Sequence, residues 1–391
     1  MSQTPVGRSP DLTKLVEEEY DVEVRDENLL VHHVPFVNVN GAVEYGILVS
    51  ELTTNGEQTV RPGRHEMWLV GGIPYDHLGQ KILIINDENP HDFGGGLVAA
   101  CRMSGKVHGQ HPENYYDKVA NYVRVLSEPA RAIDPSATHK NFPARESRAD
   151  ESVFRYHDAA TSRSGLSAVT GKLKLGKVAI AGLGGTGSYI LDLVAKTPVE
   201  EVHLYDDDTL YAHNAFRSPG AASLDELKAS PRKVDYLFSK YDPMHRNIVP
   251  HPVRVTAENV AELSDMSFVF LAIDAGPGKR VIIEALEAAY VPFVDCGLGV
   301  QRHENSLRGK LRVTAGTDGH YSHIPSRVSF GNENDNEYDW NIQTADLNMM
   351  NAAMAVIRWK KLFGYYVDGK QEFHSTYTVA WNQMLSGEVA E

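Results

Sequence analysis

Cysteine is almost absent: Cys101 and Cys296 are the only two in 391 residues. Two thiols cannot build a disulfide framework or a four-cysteine zinc site. No apolar run reaches the roughly 18 residues a helix needs to cross a hydrocarbon core, so an integral membrane protein is not expected. The N-terminus lacks the basic-then-apolar pattern of a signal peptide, which places the chain in the cytoplasm as an expectation. Positive charge is also in deficit, 38 Lys and Arg against 52 Asp and Glu for a net −14. Nucleic acids and anionic membranes select basic surfaces, so neither is an expected partner. What remains is the composition of a globular protein, 42% hydrophobic and 23% charged, long enough for two cores.

The first part of the chain carries short β-branched and aromatic runs, Leu30–Val34, Ala42–Val49, Met67–Val70 and Lys81–Ile85, broken by Asn-Gly and Gly-Gly. These predict an antiparallel meander. Tyr115, Val119, Tyr122, Val123 and Leu126 then recur at steps of three and four, the spacing of one helix face. A polar stretch from Ala130 to Ser152 reads as a domain edge, giving an α+β domain over 1–150 and a second domain over 151–391. From Lys177 onward apolar runs (Val178–Ala181, Val202–Tyr205, Phe268–Ile273, Pro292–Cys296) alternate with helical segments, the signature of an α/β domain with a mostly parallel sheet.

Gly182-Leu183-Gly184-Gly185-Thr186-Gly187 follows the first of these strands and opens a helix. Glycines let the backbone approach a phosphate, and a helix N-terminus offers unpaired N–H groups and a positive dipole end. Dehydrogenases, flavoproteins and methyltransferases share that pattern. The second strand ends in Asp206-Asp207-Asp208, with Asn214 and Arg217 beyond it. An acidic residue there suits a ribose hydroxyl, whereas Asn214 and Arg217 are donors for phosphate oxygens and have no role in a nicotinamide oxidoreductase.

Asp206, Asp208, Asn214 and Arg217, with Lys233 after a small turn and Asp274 at the end of Phe268–Ile273, resemble the ThiF/MoeB/ubiquitin-activating E1 superfamily. The resemblance implies a Rossmann-like adenylation domain using ATP and Mg²⁺. Gly182, Gly184, Gly185, Gly187, Asp206, Asp208 and Asn214 would surround the nucleotide, Arg217 and Lys233 would contact its phosphates, and Asp274 would bind the metal. The family also places an arginine, donated across a homodimer, before the first strand. Asp158 stands at that position here, with Arg155 and Arg163 both near it and Arg163 the favoured substitute. The implied reaction is adenylation of the C-terminal carboxylate of a ubiquitin-like protein, passed on to an E2-like partner. Adenylation of a small peptide, or of a sulfur carrier, is the alternative, with an inactive scaffold weighed against it.

The sequence departs from its relatives in having no cysteine after Cys296, so the zinc site of many members is missing. Cys296 on a β-branched strand reads as a small core residue. In place of a thiol, a hydroxyl of the loop from Ser322 to Ser329 is a candidate acyl acceptor, with His320 and His323 as neighbouring bases and Ser329 placed ahead of Ser326. The first domain resembles, through Val70–Gly79 and Tyr115–Tyr122, an N-terminal extension of bacterial ThiF-like proteins that occur beside ubiquitin-like and E2-like proteins. It is expected to be a partner-docking module, with an E2-like domain the alternative that lacks a convincing catalytic cysteine.

Overall fold

The computed structural model describes residues 9–56, 58–107, 109–140, 146–147, 149, 152–156, 158, 160–161, 166–331 and 342–389. The chain divides into two units, one of residues 1–146 and 156–169, the other of 147–155 and 170–391. Among the described residues no helix is long and apolar enough to cross a membrane.

The first unit opens with α1 (Pro10–Glu17), which has proline in its first turn, where the missing N–H costs nothing, and which buries Leu12, Leu15 and Val16. Strands β1 (Asp21–Arg25), β2 (Asn28–Val37), β3 (Val43–Glu51), β4 (Met67–Val70), β5 (Ile85–Asp87) and β6 (Cys101–Met103) form one antiparallel sheet in the order β1-β2-β3-β4-β6-β5. Three runs of the expected meander are β2, β3 and β4, and β1 precedes them without having been expected. The run Lys81–Ile85 does not form the expected strand. Ile85 N–H closes a turn on the Ile82 carbonyl, and Leu83 is 99% exposed while Ile82 and Ile84 pack on the core. Helix α2 (Tyr115–Ile133) is capped by Asn114, whose side chain accepts from Asp117 N–H, and its apolar stripe covers the sheet. It runs past the sequence expectation and through Pro129.

In the second unit the elements alternate as the sequence suggests: β7 (Lys177–Ala181), α3 (Gly185–Val194), β8 (Glu201–Tyr205), α4 (Ala212–Ala215), α5 (Leu224–Lys228), α6 (Lys233–Tyr241), β9 (Ile248–His251), β10 (Phe268–Leu271) and α7 (Pro277–Ala288). They continue with β11 (Phe293–His303), β12 (Ser306–Gly316), α8 (Ile324–Arg327), α9 (Ala345–Leu362), β13 (Glu372–Thr378) and β14 (Gln383–Val389). One sheet holds all eight strands in the order β9-β8-β7-β10-β11-β12-β13-β14. The first five are parallel and the last three antiparallel.

Both faces of the parallel part are buried, which is why its strands read as continuous apolar runs. Val178, Ile180, Phe268 and Phe270 pack under α3, α6 and α9, while Ala179, Ala181, Val269 and Leu271 pack under α7. The chain leaves β7 toward β8 and β9 on one side and returns to β10 on the other. That reversal opens a crevice at the carboxyl ends of β7, β8 and β10.

Candidate active site

A cavity of about 870 Å³ occupies this crevice. Gly182 ends β7 with φ +89°, and a Cβ there would stand 2.5 Å from the Ala272 carbonyl oxygen. A Cβ on Gly187 would stand 1.8 Å from the Gly182 carbonyl oxygen, so the loop and the first turn of α3 close on each other only with glycine at both places. Gly185 likewise leaves room for Asn348 of α9, whose Oδ1 accepts from the Thr186 hydroxyl at 2.9 Å. The N-terminus of α3 therefore faces the cavity through Gly184 and Gly185. The N-terminus of α7 lines it as well, through Gly276, Gly278 and Lys279. Two helix starts aimed at one space favour an anion there.

Asp206, at the end of β8, is buried and ties the two strand ends together. Its Oδ2 accepts from Leu183 N–H at 2.7 Å and its Oδ1 from Asp208 N–H at 2.9 Å. Lys233, only 6% exposed at the start of α6, donates to Asp208 Oδ2 at 2.7 Å and lies 3.7 Å from Asp206 Oδ1. The hydrogen bond from Lys233 holds the Asp208 carboxyl below its usual range. Asp207 pairs with Arg254 at 3.3 Å. Arg217 lines the cavity with its buried Nε lacking a hydrogen-bond partner, an orphan that an anionic ligand would satisfy. Asp274 is exposed just past β10, beside the start of α7.

The opposite wall comes from the β11–β12 hairpin. Fully buried Asp295 lies 2.8 Å from Lys279 Nζ and accepts from Arg312 at 2.5 Å. One carboxylate against two cations leaves this wall net positive, and exposed Lys310 adds a further charge. Cys296 lines the same wall, but burial pushes its thiol up to about 12, as burial does for Cys101 in the first unit. Neither is a poised thiolate at neutral pH.

Of the residues singled out from the sequence, the fold gathers Gly182, Gly184, Gly185, Asp206, Asp208, Arg217, Lys233, Asp274 and Ser329 around the cavity. Gly187 and Asn214 stand behind it. Asn214 is buried, and its side chain accepts from Tyr211 N–H at 2.9 Å, shaping the turn that carries Arg217. Ser326 is not part of the lining, and its hydroxyl donates to the His323 carbonyl at 2.9 Å. His323 Nε2 bonds the Ala315 carbonyl oxygen, and His320 stacks on Phe373, so the expected bases of that loop have structural contacts instead. Arg163 lies outside the described residues. Among the described residues, the acidic group compact enough for a cation is Asp206-Asp207-Asp208, which does not include Asp274.

The sequence reading missed Arg254, Lys310, Arg312, Asp295, Asn348 and Asn351 as parts of the site. Asn348 ends a segment similar to the closing helix of the family, and the others belong to no motif; strand pairing and helix packing bring them in.

Residues 10–159 match a family described as "Domain of unknown function (DUF6791)", and residues 161–339 match the ThiF family. No curated protein matches the chain. Similar solved structures include E. coli MccB, at TM-score 0.47 and 16% identity over 71% of this chain and 81% of that one. E. coli MccB with ATP has TM-score 0.45 and 15% identity, over 60% and 70%. PaaA has TM-score 0.45 and 17% identity, over 57% and 76%. Residues 161–339 of this chain are a ThiF-family domain, the family of adenylating enzymes that its glycine loop and strand-end residues resemble.

Proposed function

We propose that the second unit adenylates the C-terminal carboxylate of a ubiquitin-like protein with ATP and Mg²⁺, and hands the activated acyl group to an E2-like partner. The observation that carries this reading is the convergence of Arg217, Lys233 and two helix N-termini on one cavity. An attacking carboxylate oxygen forms a bond to the α-phosphorus while the bond from that phosphorus to the bridging oxygen breaks, and pyrophosphate leaves. No proton moves in this step. The charge that gathers on the leaving group needs fixed cations in a site with little water.

Lys233 suits that role because its partner Asp208 is exposed on the cavity side. A polyphosphate, more strongly charged than one carboxylate, competes for the same ammonium. Arg217 brings an unsatisfied N–H, and Asp206 holds the glycine loop to the ribose side. Asp274 offers a hard oxygen donor beside the phosphates, and Mg²⁺ held there would withdraw charge from them. Direct attack on the adenylate by the partner's nucleophile is favoured over a carrier in this chain, because both thiols are buried and the two histidines expected as bases contact the Ala315 carbonyl and Phe373. The first unit is then a docking module for the partner, with the boundary near residue 150. In a homodimer Arg163 would be the residue offered across the interface.

The test is exchange of labelled pyrophosphate into ATP, driven by candidate ubiquitin-like proteins. Exchange that depends on the carboxylate supports the reading; its absence with every protein and peptide carboxylate would overturn it. Exchange with short peptides but no ubiquitin-like protein would assign a peptide substrate instead.

A further inference from the structure

We infer that Asn351 is a specificity-determining residue of this cavity, reading the last amide N–H of a peptidyl carboxylate; the inference rests on the adenylation reading. Asn351 is 1% exposed and lines the cavity from α9, one turn beyond Asn348. Its Nδ2 donates to the Gly297 carbonyl oxygen of β11 at 3.2 Å. A carbonyl only accepts, so this bond fixes which end of the amide is nitrogen and turns Oδ1 the other way. That Oδ1 is buried without a partner. A buried acceptor left unmade is costly, and a ligand that supplies a donor recovers the cost on binding.

The neighbours say what kind of donor it would be. Gly297 pairs across the hairpin with Arg312, and Gly299 with Lys310. Asn351 therefore sits at a rung of the ladder occupied by a cation, with a second cation two rungs on, beyond the Leu298–Leu311 pair. It is on the β11–β12 wall, not the β7–β8 wall that carries Asp206 and the loop before α3. An acceptor beside cations is complementary to a donor beside an anion. The last residue of a peptide presents that pair, an amide N–H followed one carbon later by a carboxylate. A simple carboxylic acid lacks the N–H. A Cβ on Gly297 would stand 2.8 Å from the Arg312 guanidinium, so glycine there makes room for that cation, whereas a Cβ on Gly299 would meet open space.

The experiment uses the full chain and two unreactive mimics of the adenylate, in which a glycine-terminated decapeptide is joined to adenosine through a sulfamate. In one mimic the last peptide linkage is the normal amide; in the other an ester oxygen replaces its N–H. Dissociation constants are measured by calorimetry. Wild type is expected to bind the amide about tenfold more tightly, the worth of one neutral hydrogen bond in a buried site. Asn351→Leu should bind both alike, at the weaker value, and Asn351→Asp, which keeps an acceptor, should retain the preference. Equal binding of the two mimics by wild type overturns the inference whatever the variants do. So does an undiminished preference in Asn351→Leu. Failure of wild type to bind either mimic overturns the inference alone if a ubiquitin-like protein drives pyrophosphate exchange, and removes the adenylation reading itself if none does, which distinguishes the two outcomes.

Discussion

Both units bury lysine, and they treat it differently. In the first unit Lys118, 2% exposed on α2, donates to the Ser50 hydroxyl at 2.7 Å and has no carboxylate in hydrogen-bond range among the described residues; burial lowers it to about 8. In the second unit Lys233 and Lys279, equally buried, each meet a carboxylate, Asp208 and Asp295, at 2.7 and 2.8 Å. Desolvation penalises the charged form unless an opposite charge offsets it. One lysine is thus a polar member of a core. The other two are paired with carboxylates at the edge of a cavity, where a phosphate or carboxylate can reach them.

The sharpest way to break that comparison is to remove the cavity cations. Lys233→Ala and Arg217→Ala should each lower carboxylate-dependent pyrophosphate exchange at least about tenfold, since a charged contact to a transition state is typically worth about 2–4 kcal/mol. Circular dichroism should show the fold intact, and normal exchange in both variants would sink the phosphate assignment. Lys118→Met should leave exchange within about twofold and act on stability instead. A lysine whose pKa falls on folding penalises the folded state at neutral pH, and the penalty fades as pH rises from about 8 toward 10.5. Melting curves of wild type should therefore gain on those of Lys118→Met across that window, by up to about 3 kcal/mol. A constant gap would mean Lys118 stays charged.

A smaller effect is expected from Asp274→Asn, which should raise the Mg²⁺ concentration for half-maximal exchange roughly tenfold while nucleotide affinity changes less. An unchanged magnesium response makes Asp274 structural. Smallest of all, Cys101→Ala and Cys296→Ala should leave exchange within about twofold, because thiols pushed this high supply no thiolate at neutral pH. A reductant-sensitive adduct with the acyl substrate, lost in either variant, would restore a thiol carrier.

The fold was legible where local pattern and burial agree. The parallel strands of the second unit are buried on both faces, so each is an unbroken apolar run, and the helix spacing of Tyr115 to Leu126 needed only one face. Legibility failed where a strand-like run meets the sheet only at its end. Lys81–Ile85 has strand residues throughout, yet it turns before Ile85 opens β5, leaving Leu83 in solvent. The long hairpin of β11 and β12 also escaped, because its outer half is exposed and carries no alternation to read.

The sequence by itself determined the glycine loop, the acidic strand end, and Arg217 and Lys233 downstream. These lie on consecutive βα units, whose chemistry is local to each strand end. It also excluded a four-cysteine zinc site by count alone. Only the tertiary structure decided that Asn214 supports the turn rather than the cavity, that Ser326 and His323 are tied to backbone carbonyls, and that Asp295, Lys310, Arg312 and Asn351 form the second wall. The hairpin residues meet α9 across a gap of more than thirty residues in sequence. Side chains that far apart are brought together by strand register and helix packing, which no short pattern records.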